Sequence, residues 1–143
     1  MGGIISSIIA GAAMSIQGVF NTRLSEKCGL FEANAFVQFT AFIFALLAMF
    51  IFGKGNILNV TKTNFLYLTG GLFGIIITVF VMLGISSLKP TYAISVILIS
   101  QLIFAAAIDA FGLFGTEKVV FNFKNYLGLG LMISGILVFK FAS

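Results

Sequence analysis

Polar and charged residues sit in short intervals along this chain, and between them run five apolar stretches. A helix needs about 20 mostly apolar residues to cross a bilayer. The stretches extend from about Gly3 to Leu24, Phe31 to Phe52, Asn64 to Leu88, Pro90 to Phe114 and Lys124 to Phe141. Pro90 suits the first turn of its helix, where a missing N–H costs nothing. The runs are continuous rather than alternating, which argues against β-barrel strands. The pattern predicts an all-α polytopic membrane protein, a single five-helix membrane domain over residues 1–143. The short intervals left over leave no room for a soluble catalytic or receptor domain.

Composition sharpens this picture. The chain is 60% hydrophobic and 8% charged, whereas a soluble domain is about 25% charged. It has no His, which removes the commonest general base and metal ligand. The single Cys, Cys28, rules out disulfide frameworks, thiolate zinc sites and CxxC chemistry. With no nucleophile–base pair and no metal-ligand set, an enzyme is not expected. No cofactor, metal or nucleic-acid partner is expected either. Three processing motifs are read as chance. Met1-Gly2-Gly3-Ile4-Ile5-Ser6 fits myristoylation but runs straight into a spanning helix. Ala10-Gly11-Ala12 resembles a signal-peptidase site with no preceding Lys or Arg. Asn59-Val60-Thr61 fits the glycosylation sequon in a short loop close to the membrane.

Charge placement carries more information than net charge. Orientation in a bilayer follows the Lys/Arg imbalance between the two sets of loops. Lys54, Lys62, Lys118 and Lys124 fall on one side; Arg23, Lys27, Lys89 and Lys140 fall on the other. With no bias, insertion in both senses is expected, unless one loop dominates. Two inverted copies would then pair as an antiparallel homodimer, reproducing the inverted repeat that larger transporters carry in one chain. Ten helices enclose a pathway that five are too few to wall.

Helices in lipid associate through small residues and polar contacts. Gly3, Ser7, Gly11 and Ser15 form a close-packing ridge in the first span, beside a stripe of Ser6, Ala10, Ala13, Gln17 and Asn21. The second span repeats Asn34, Gln38, Ala41, Ala45 and Ala48 on one face. Gly70, Gly74 and then Thr78 mark the third, and Gly130 and Ser134 the fifth. Plain packing explains these stripes. The amides say more, because each is costly in hydrocarbon unless it has a partner or faces water. Gln17, Gln38 and Gln101 fall in the middle third of their spans, so Gln17, Asn21, Asn34, Gln38 and Gln101 form either a substrate-binding lining or interhelical hydrogen-bond glue. Apart from Glu32 at the start of the second span, Asp109 is the one acid within a span. It is either a proton- or cation-coupling group or an interfacial acid paired with Lys118 or Lys124. Glu32 opens the second span, where it suits the helix dipole.

Three segments together resemble the five-helix YdcZ-like family: Gln17-Gly18-Val19-Phe20-Asn21-Thr22-Arg23-Leu24, Gly70-Gly71 with Gly74, and Ser100-Gln101 through Asp109 to Gly112-Leu113-Phe114-Gly115. The Gly128 to Gly135 segment fits as well, so the likeness covers nearly the whole chain. The resemblance implies a bacterial inner-membrane protein of the drug/metabolite transporter superfamily, working as a pair of domains. It also implies distant kinship with small multidrug-resistance exporters, which use a membrane-embedded Glu in the first helix. Gln17 stands in a comparable place here, so coupling falls to Asp109, or the substrate is neutral or polar and amides suffice. The leading expectation is a secondary transporter of small molecules, an antiparallel dimer with a midplane polar cavity. The alternative is a non-transporting accessory subunit of a heteromeric membrane complex.

Overall fold

The computed structural model describes residues 2–141, except the side chains of Phe139 and Phe141. The described residues are all-helical. Helix α1 spans Gly2–Cys28, α2 Leu30–Phe52, α3 Gly70–Leu88, α4 Pro90–Phe111 and α5 Phe123–Phe141. Four helical segments are long and apolar enough to cross a membrane: Gly2–Cys28, Leu30–Phe52, Phe65–Leu88 and Pro90–Phe111. A shorter apolar helical stretch covers Phe123–Val138.

Local chemistry explains where the helix ends depart from the hydropathy pattern. Helix α1 continues four residues past Leu24 through Ser25-Glu26-Lys27-Cys28, because helix propensity tolerates polar residues that a membrane does not. An exposed Arg23–Glu26 pair at 3.1 Å lies on this last turn. Only Gly29 then separates α1 from α2. It has φ 101° and ψ 156°, a conformation open essentially to glycine, and a Cβ there would also run into the Glu32 carboxylate. Lys89 adopts nearly the same backbone between α3 and α4, with φ 67° and ψ 152°. Pro90 then takes the first helical position, as the sequence predicts.

The third apolar stretch starts not as an α-helix but as a 3-10 turn, Phe65–Thr69, with Asn64 accepting a bond from the Leu66 N–H at 3.0 Å. A second 3-10 turn, Ile57–Lys62, is capped the same way by Asn56. At its far end α4 stops at Phe111, short of the expected Phe114. Gly112 turns left-handed at φ 64° and its N–H caps the Ile108 carbonyl. The chain then folds back, and the Val119 N–H donates to the Asp109 carbonyl at 2.9 Å.

The chain divides into two compact units, Met1–Ser86 and Ser87–Ser143. In the first, α1, α2 and most of α3 pack toward the end where α1 joins α2. The buried residues cluster there: Gly18, Asn21 and Thr22 of α1, Ala33 and Asn34 of α2, Met82 and Ile85 of α3. Residues 2–14 of α1 are exposed throughout, and residues 41–52 of α2 nearly so. This unit is therefore a wedge, closed at the link and open at the other end. In the second unit α4 packs on α5, and Ala93 is the buried residue among those described. Most large apolar side chains face outward, as in a chain whose solvent is lipid rather than water.

Candidate functional site

The polar interior of the first unit is built on a helical stripe. Gly18 allows close approach: a Cβ there would lie 2.8 Å from Ile85 Cδ1 and 3.1 Å from Val81 Cγ1 of α3. Asn21 and Thr22, three and four residues on, share that face and are buried at 7% and 3% exposure. Thr22 donates its hydroxyl to the Gly18 carbonyl at 2.8 Å, and Ser25 donates to the Thr22 carbonyl at 2.7 Å. Ser6, Ser7 and Ser15 bond back in the same way to Gly2, Gly3 and Gly11. Their protons are thus committed to their own helix.

The amides behave differently from one another. Gln38 of α2 is half-buried and donates through Nε2 to Thr78 Oγ1 of α3 at 3.3 Å, while Thr78 donates to the Gly74 carbonyl at 2.8 Å. Gly74 lies beside this contact: a Cβ there would be 3.7 Å from Gln38 Nε2, an ordinary van der Waals distance. Asn34, one turn nearer the link, is 5% exposed, and its Oδ1 is enclosed with no hydrogen-bond partner among the described residues. A buried acceptor left unpaired costs about 1–3 kcal/mol. No charged residue stands between Gly18 and Thr22, Asn34 and Gln38, or Gly74 and Ile85, so these stretches offer the interior only amides and hydroxyls.

The other candidates lie elsewhere. Gln17 and Gln101 are exposed on the single chain, and among the described residues neither makes a side-chain hydrogen bond. The structure thus buries Asn21 and Asn34 and half-buries Gln38 within the first unit, and leaves Gln17 on its surface. Gln101 belongs to the second unit, near the middle of α4. Asp109 is half-buried in the last turn of α4. Among the described residues, neither Lys118 nor Lys124 forms an ion pair with it. Of the glycines expected to pack, only Gly74 meets another side chain; a Cβ at Gly11, Gly70 or Gly130 would have nothing within 4 Å. Sequence reasoning missed the contact glycine, Gly18, which was legible as a continuation of the α1 stripe at a step of three; it placed Thr78 on the α3 stripe but not as the partner of Gln38. The described residues hold no cluster of three or more metal-ligating side chains.

A multi-pass helical membrane protein, with carboxamides and hydroxyls on its inner helix faces, is the class these features define. The chain belongs to the family described as "Putative inner membrane exporter, YdcZ", whose model matches residues 2–138. Its place is the inner membrane. No curated protein and no solved structure matches the chain.

Proposed function

We propose that the chain is a secondary exporter of small molecules and that its five helices act as one membrane domain, paired in antiparallel orientation with a second copy. The observation that carries the binding site is the division of labour between Gln38 and Asn34. Interhelical glue makes its hydrogen bonds, as Gln38 does with Thr78; Asn34 holds a buried acceptor that nothing among the described residues satisfies. In this reading Asn34 waits for a donor on the substrate. Asn21 and Asn34 form the inner part of the lining, with Gln38 held beside them by its bond to Thr78, and the exposed Gln17 and Gln101 would add to it in the pair. The absence of charge among these residues suits a neutral or polar substrate, with Asp109 as the group available for proton or cation coupling.

Two features support pairing. The cationic residues divide four and four between the two membrane faces in a five-span topology. The open end of the wedge leaves Gly11, Ala41 and Ala45 uncovered, and small residues of this kind let helices of a second chain approach. Reporter fusions at the C-terminus test the orientation: activity on both sides of the membrane is expected, and activity on one side alone refutes dual insertion. A thermal-shift screen of neutral, cationic and anionic metabolites on purified protein tests the site. Stabilising hits should be lost in Asn34→Leu and Gln101→Ala variants that still fold. Hits retained in both variants would make the amides structural and favour the accessory-subunit reading.

A further inference from the structure

The second unit carries a groove that the exporter reading does not use. It is a cavity of about 300 Å³ between α4 and α5. Val96, Ile99 and Ile103 of α4 face Ile133 and Leu137 of α5, with Tyr92 at one end and Phe104 at the other. Ser100 is the polar residue in this wall. From Tyr92 to Phe104 the groove follows α4 for about 18 Å at 1.5 Å per residue. That is close to one leaflet of a hydrocarbon core about 30 Å thick.

The Tyr92 end is cationic. Lys140 Nζ lies 5.7 Å from the centre of the Tyr92 ring, and Lys89 caps α4 one turn before Tyr92. The acids of this unit, Asp109 and Glu117, lie at or beyond the opposite end of α4. Tyr and Lys are also the residues that settle at the headgroup level of a bilayer. One apolar channel, a leaflet deep, thus opens beneath two positive charges, with neither acid of this unit at the mouth.

We propose that this groove seats one acyl chain of an anionic phospholipid, with its phosphate held by Lys140 and Lys89. A helix from a second copy fits less well. Helix pairs in membranes use small residues for close approach, whereas this wall is β-branched and aromatic, and a helix would need a full bilayer's length of groove. The two lysines account for headgroup preference, each contributing about fivefold near an anionic surface.

The chain has no Trp, so a single introduced Trp reports from one place. Phe104→Trp places the probe at the deep end of the groove, and Phe80→Trp, on an exposed face of α3, serves as the control. Both variants are reconstituted into vesicles of phosphatidylcholine mixed with phosphatidylglycerol, one or the other brominated on its acyl chains. Phosphatidylglycerol should quench the groove probe about tenfold or more as effectively as phosphatidylcholine, with little preference at the control. Adding Lys140→Gln should lower that preference about fivefold, while Lys140→Arg, which keeps the charge, should retain it. Equal quenching by both lipids at Phe104→Trp would overturn the proposal. So would a preference unchanged by the Lys89→Gln/Lys140→Gln pair. A probe shielded from both lipids in proportion to protein density would show a second copy in the groove, and would overturn it as well.

Discussion

Asn34 and Gln38 lie one turn apart on α2, yet replacing each with Leu should change stability in opposite directions. The Asn34 Oδ1 is enclosed without a partner, and such an acceptor costs about 1–3 kcal/mol. The lower end applies in a bilayer, where polar contacts average only about 0.6 kcal/mol. Leu keeps the branch at Cγ and so leaves no large cavity, a near-isosteric exchange that limits repacking cost to under about 1.5 kcal/mol. Asn34→Leu should therefore be neutral or stabilising by about 1 kcal/mol. Gln38→Leu removes a formed bond to Thr78 and should destabilise by about 0.6 kcal/mol, and at most about 1.7. Its loss stays small because the Thr78 proton keeps its bond to the Gly74 carbonyl. Reversible unfolding in mixed micelles by titration with dodecyl sulfate, followed by far-ultraviolet circular dichroism, measures both variants. Substrate-dependent thermal shifts on the same preparations should be lost in Asn34→Leu despite its stability, the trade-off that functional polar groups show. If Asn34→Leu instead loses more than about 1 kcal/mol, the side chain is structural and the binding-site argument fails.

The same measurements check expectations at three further residues. Gly18→Ala should be near neutral, because the gain in helix propensity of about 1 kcal/mol offsets displacement of the Ile85 methyl that lies 2.8 Å from the new Cβ. Gly18→Leu should lose about 1–3 kcal/mol by overpacking against α3; equal stability of the Ala and Leu forms would show that α1 and α3 do not meet there. At the two one-residue links, Lys89→Gly should stabilise by about 1 kcal/mol through relief of its positive φ. Gly29→Ala should destabilise by about 1–3 kcal/mol, since it adds both strain and a clash with Glu32. A Lys89→Gly variant less stable than the parent would refute the account of that link.

The helices were legible because membrane spans are written in apolar runs, which hold whatever the helices pack against. Their ends were less so. Hydropathy stops α1 at Leu24 because Ser25, Glu26 and Lys27 are polar, but a helix needs only satisfied backbone and tolerable side chains to continue to Cys28. The early end of α4 was signalled by Gly112, whose left-handed φ of 64° breaks the helix before the apolar Leu113 and Phe114. Within the proposed site, Asn21, Asn34 and Gln38 were singled out, with Gln17 and Gln101, by a rule of cost: an amide in hydrocarbon needs a reason. Which of them would be satisfied depended on Thr78, forty residues away from Gln38 along the chain, and no local pattern reports such a partner.

The ridge on α1 shows the limit of the stripe argument most clearly. Gly3, Ser7, Gly11 and Ser15 advance by fours, and a constant step of four drifts around a helix of 3.6 residues per turn. Continued by three and then four, the ridge reaches Gly18, Thr22 and Ser25, and it is on Gly18 and Thr22 that α1 becomes buried. Up to Gly11 the ridge faces outward, and a Cβ at Gly11 would meet nothing. One continuous line of small residues thus serves two surfaces, an internal contact near the link and an open face beyond it. Bulky substitution should separate the two. Gly18→Leu acts on the packing within one chain, whereas Gly11→Leu leaves that packing intact and perturbs whatever the open face meets. In the proposed pair, Gly11→Leu should weaken dimerisation measured by crosslinking in vesicles, with unfolding unchanged. A Gly11→Leu protein that pairs as well as the parent would remove this ridge from the dimer interface.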